Sequence, residues 1–101
     1  MTVLTGFGFN AEEQAKERSA RRDAEIAREA TVKVYTDELR GIEHRRAMTT
    51  YELERVDAAL ANAEPHWRAP IEAERDALLR VAHRLAGKAE LVRIEMKRVA
   101  K

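Results

Sequence analysis

The stretch Pro70–Lys101, PIEAERDALLRVAHRLAGKAELVRIEMKRVAK, sets apolar side chains seven residues apart at Ile71, Leu78, Leu85, Val92 and Val99. Such a repeat keeps one face of a helix apolar along its whole length, and it predicts a long helix packed against another helix. The intervening positions of that face, Arg75, Ala82, Ala89 and Met96, are mostly small or flexible, which admits a close neighbour. Pro70 suits a first-turn position. Glu72, Glu74 and Asp76 complement the positive end of the helix dipole, and Lys97, Arg98 and Lys101 the negative end, so this helix is expected near 70–99.

Working upstream, Pro65 and Pro70 bracket Glu64–Pro70 as a corner. Before the corner, Leu53, Val56, Leu60 and Ala63 form the stripe of a shorter helix near 50–64. Thr49 and Glu52 stand at capping-box spacing there, with Met48 and Leu53 placed as a hydrophobic staple. A longer helix near 11–47 precedes it, opened by Asn10 as N-cap with Glu13 three residues on.

The apolar residues of that first helix fall on two faces: Ile26, Ala30 and Val34 on one, Val32, Tyr35, Leu39 and Ile42 roughly opposite. We expect the helix to run through Thr31, with Gly41 offering an earlier end near 40. Residues 11–30 are almost entirely Ala, Glu and Arg, a composition with high helix propensity and little to bury, so this part is expected to project into solvent. In residues 1–10, Gly6 and Gly8 interleave with Phe7 and Phe9 and read as an extended arm. The fold class is therefore all-α: an extended N-terminal arm followed by long antiparallel helices, as a helical hairpin or three-helix bundle with coiled-coil-like packing. One helical domain spans 11–101.

Composition supports that reading, since 37% of the 101 residues are charged and only 5% aromatic, the balance of long solvated helices. There is no cysteine, which excludes disulfides, thiolate metal sites and cysteine nucleophiles. The opening Met1-Thr2-Val3-Leu4-Thr5-Gly6-Phe7 has neither a basic start nor a long apolar run, so no signal peptide or membrane span is expected and the cytoplasm is the default location. An excess of arginine over lysine and much alanine fit a GC-rich bacterial or phage genome.

His44, His66 and His83 are too scattered for a metal site, and no Glu-x-x-His, His-Glu-x-x-His or glycine-rich phosphate loop occurs. No cofactor, metal or catalytic residue is assigned, and an enzyme is not expected. The candidate protein-interface residues are Phe7, Phe9, Trp67, Leu78, Leu85, Leu91 and Ile94. Trp67 either plugs the end of the hairpin or anchors a partner, and the arm with Phe7 and Phe9 either folds back or inserts into another chain. Leu91 and Ile94 fall outside the seam of the last helix, where an isolated hairpin leaves them exposed. Covering both contributes about 3–6 kcal/mol before ordering costs.

The expected function is a non-enzymatic interaction module: a homo-oligomer, with a dimer as first expectation, or the binder of a protein partner, in the manner of assembly, adaptor or inhibitor proteins. The alternative is a nucleic-acid-associated protein. The net charge is only +1, but residues 65–101 hold nine basic against five acidic side chains. Arg80, Arg84, Lys88, Arg98 and Lys101 offer phosphate or acidic-partner contacts there.

Overall fold

The computed structural model describes residues 2–101, with side chains from residue 11 onward. Two helices account for nearly all of it: α1, Thr2–Ala61, and α2, Pro65–Ala100. They lie side by side as a hairpin only 14 × 13 Å across the backbone. Helix α1 is much the longer. At 1.5 Å per residue it runs about 90 Å against about 54 Å for α2, so the N-terminal part of α1 extends past the end of its neighbour.

The seam of α2 lies where the seven-residue repeat places it. Leu85, Ala89 and Val92 are buried, while Ile71, Arg75, Leu78, Ala82, Met96 and Val99 are half-buried. Helix α1 presents a matching seam at Val32, Tyr35, Leu39, Ile42, Arg46, Thr49, Leu53, Val56 and Leu60, again at alternating steps of three and four. The most enclosed part is the cluster of Ile42, Leu85, Ala89 and Val92, flanked by Tyr35, Leu39 and Met96. Residues 11–31 are all exposed. Seam spacing continued backward through that segment meets Arg28, Glu25, Arg21 and Arg18, none of which profits from burial, and so the apolar seam stops where α2 stops.

Three boundaries differ from the sequence expectation. There are two helices rather than three, because the chain does not break at Thr49–Thr50. The Thr49 hydroxyl donates to the Arg45 carbonyl at 2.8 Å and that of Thr50 to the Arg46 carbonyl at 3.0 Å. Back-bonding of this kind satisfies the hydroxyls inside the helix, so the capping box is not used and Thr49 becomes a buried seam residue. Thr31 and Thr36 bond the Ala27 and Val32 carbonyls in the same way, and α1 runs continuously through Thr31, as expected.

Second, α2 begins at Pro65, not Pro70. Glu64, at φ −67° and ψ 154°, is the extended entry residue, and Pro65 at the first helical position forgoes an amide that would lack a partner anyway. Pro70 then lies inside the helix, where it deprives only the carbonyl of exposed His66 of a bond. Glu72, Glu74 and Asp76 therefore sit beyond the first turn, whereas Lys97 and Arg98 do occupy the last one. The connection is three residues, Asn62, Ala63 and Glu64. Asn62 Nδ2 donates to the Ala58 carbonyl at 3.2 Å, and the Asn62 and Ala63 amides close onto Ala59 and Leu60.

Third, α1 starts at Thr2, so the backbone expected as an extended arm over residues 1–10 is helical from Thr2 and Asn10 is not a cap. Each further residue of a formed helix gains a hydrogen bond, which offsets the cost of about 1 kcal/mol per glycine at Gly6 and Gly8. The side chains of Phe7 and Phe9, and with them their expected interface role, lie outside the described residues.

Gly41 and Gly87 lie within the helices, exposed, and a Cβ at either would meet no atom within 4 Å. Neither is a helix end. The double variant Gly41→Ala/Gly87→Ala is therefore expected to raise the unfolding free energy by about 1–2 kcal/mol, at 0.5–1 per site, read as a higher urea midpoint at unchanged slope.

Candidate interaction surface

The two flanks of the hairpin differ. On one, ion pairs tie the helices together: Arg93 Nη2 donates to Glu43 Oε1 at 2.6 Å, and Arg75 Nε to Asp57 Oδ1 at 2.7 Å. Arg46 also approaches Glu43, at 3.4 Å. The Glu43 and Arg93 side chains keep 43% and 42% of their exposure, so solvent screens the pair and it contributes at most about 1 kcal/mol. Its effect is to fix register.

The other flank is open. A groove of about 410 Å³ runs there between Arg45, Met48, Thr49 and Glu52 of α1 and Leu78, Val81, Arg84, Leu85 and Lys88 of α2. A second groove of about 310 Å³ continues toward the turn, lined by Glu52, Arg55, Val56, Ala59, Ile71 and Glu74. Along this flank Arg45 stands level with Lys88, Glu52 with Val81 and Ala59 with Glu74. One heptad beyond Arg45 and Lys88, Glu38 is level with Glu95. At the two levels where both facing residues are charged, the signs are alike, and no ion pair between the helices crosses this side among the described residues.

Exposed aliphatic side chains gather on the same side. Met48 and Val81 line the groove, Val34 lies two heptads before Met48, and Leu91 one heptad after Arg84. Leu91 is 65% exposed and Ile94 50% exposed, outside the seam as the sequence spacing placed them. Leu78 is half-buried and Leu85 buried within the hairpin, so of these two only the groove-facing edges are available to a partner.

Trp67 does not plug the hairpin. It is 58% exposed in the first turn of α2, its ring beside His66 with centroids 5.3 Å apart and planes at 47°. Helix α1 ends at Ala61, before the level of Trp67, so no α1 side chain stands opposite to enclose it. His44 and His83 are exposed, and no group of three or more His, Asp or Glu side chains is placed to share a metal ion among the described residues.

The basic stripe is exposed in full: Arg80, Arg84, Lys88, Arg98 and Lys101 all face solvent. Arg84 and Lys88 share their groove with Arg45, a cation on α1 that reading α2 alone missed and that the pairing level of the helices reveals. Leu91 and Ile94 interrupt the stripe, and Arg98 is engaged by Glu95 at 3.5 Å.

No helix of the described residues is long and apolar enough to cross a membrane. No protein-family model, curated protein or solved structure matches the chain.

Proposed function

We propose that this chain is a non-enzymatic helical interaction module, one that assembles with copies of itself or docks on a protein partner as adaptor, assembly and inhibitor proteins do. The observation that carries the reading is the exposure of Leu91 and Ile94 outside the seam, with Met48, Val34 and Val81 further aliphatic side chains left open to solvent along the hairpin. Apolar area of that extent gains free energy when another helix covers it. The flanking charges then select the partner and its register.

The paired substitution Leu91→Glu with Ile94→Lys tests it, because both positions lie outside the seam and the hairpin does not need them. Light scattering is expected to report a smaller assembly, or lost partner capture, while far-UV circular dichroism remains that of the wild type. An unchanged assembly mass and unchanged capture would remove the patch from the function.

A second reading rests on the convergence of Arg45, Arg84 and Lys88 in one groove. These cations would contact phosphates of a nucleic acid, and binding would then weaken steeply as salt rises. An assembly whose mass withstands high salt and ignores added duplex DNA favours the interaction reading, whereas a monomer that binds DNA only at low salt favours the phosphate one.

A further inference from the structure

We infer that the open flank is the dimer face of the chain, and that its occupant is a second copy running antiparallel about a two-fold axis at Leu91. The inference rests on the interaction reading above and narrows it to one partner and one register.

The charge levels carry the argument. Along the open flank, Glu38 with Glu95 forms an acidic level, and Arg45 with Lys88 forms a basic level one heptad away. Within one hairpin each level sets like charges across from one another, which opposes closure on that side. A copy reversed end to end about the midpoint of the two levels sets the acidic level of each chain against the basic level of the other. It also brings Arg84 of each chain toward Arg98 of the other, a like-charge contact that Glu95, 3.5 Å from Arg98, offsets. A self-complementary patch of this kind is what a two-fold interface demands.

The apolar residues obey the same symmetry independently. Leu91 stands midway between Lys88 and Glu95, so it meets its own counterpart at the axis. Val34 lies four residues before Glu38 and Met48 three residues after Arg45, so the same operation brings Val34 of each chain to Met48 of the other. The overhang of α1 is also accounted for. Ile26 and Ala30, on the ridge that ends at Val34, then run beside the turnward groove of the second copy, toward Ala59 and Ile71. Ile26 is 57% exposed, on the part of α1 that extends past the end of α2.

The absence of cysteine makes the test direct. Leu91→Cys, Val34→Cys, Met48→Cys and, on the ion-paired side, Leu79→Cys are each introduced into the otherwise cysteine-free chain and oxidised under mild conditions, with the mass of each checked by light scattering. A disulfide needs Cβ atoms about 4 Å apart, so Leu91→Cys is expected to form covalent dimer about tenfold faster than Leu79→Cys. Mixed Val34→Cys and Met48→Cys chains are expected to couple to each other faster than either couples to itself. A dimer whose Leu91→Cys variant couples no faster than Leu79→Cys overturns this face while leaving self-assembly intact. Coupling at Leu91 without the Val34–Met48 pair overturns the antiparallel register. A wild-type chain monomeric at high concentration overturns the dimer, and the interaction reading then stands or falls on capture of a different partner.

Discussion

Replacing Ile42 with alanine is expected to lower the unfolding free energy by about 2–5 kcal/mol, the largest loss available from a single side chain here. Ile42 is 1% exposed and is the largest fully buried side chain among the described residues. It fills the space between Leu85, Ala89 and Val92 of the opposite helix, so truncation removes transfer energy and leaves a void that two rigid helices close poorly. A small domain has about 5–15 kcal/mol in total, so this one change takes a large share of it. Chemical denaturation followed at the helical band measures the effect. A loss below about 1 kcal/mol would mean that this cluster does not hold the hairpin closed.

The second large effect comes from the opposite operation at the same level. Ala89 is 0% exposed and packed among Ile42, Leu85 and Val92, so Ala89→Leu forces three more carbon atoms between the helices. Overpacking of this kind costs about 1–3 kcal/mol through strained rotamers and backbone displacement. The two substitutions are in contact and are not expected to add: in the double variant Ile42→Ala/Ala89→Leu the new leucine occupies part of the vacated space, and the combined loss is expected to fall below the sum. Strict additivity in a double-mutant cycle would show that the two residues do not share one packing site.

Much of this architecture was legible from spacing. Ile71, Leu78, Leu85, Val92 and Val99 announced the seam of α2, and Leu53, Val56 and Leu60 the corresponding part of α1, because burial on one helix face has a period that needs no knowledge of the partner. The exposure of Leu91 and Ile94 followed from the same wheel. What misled was local punctuation. Thr49 and Glu52 have the spacing of a cap, yet a threonine inside a helix satisfies its hydroxyl on the carbonyl four residues back, and nothing in the sequence says which bond forms. Pro65 and Pro70 are both acceptable starts, and the earlier one puts Trp67 in the first turn of α2, exposed rather than plugging the end of the hairpin. The open flank was illegible for a different reason. Arg45 and Lys88 become neighbours only once the length of the turn sets which residues of α1 and α2 stand level, and that is a long-range fact.

The position of the tight core along the hairpin also governs how the chain folds. Near the turn, Asp57 and Arg75 are 18 residues apart in sequence, whereas Glu43 and Arg93, beside the cluster of Ile42 and Ala89, are 50 apart. Closing the longer loop directly costs about 0.9 kcal/mol more in chain entropy than closing the shorter one, a modest difference. At the tip, where contacts come at low entropic cost, Leu53, Leu60, Ile71 and Leu78 are half-buried and Val56 is buried, and the most enclosed cluster lies about four turns of helix further on. Zipping outward from Asn62–Glu64 therefore gains modestly at first and most at the cluster, so the helices must be largely formed before the pairing that stabilises them most is won.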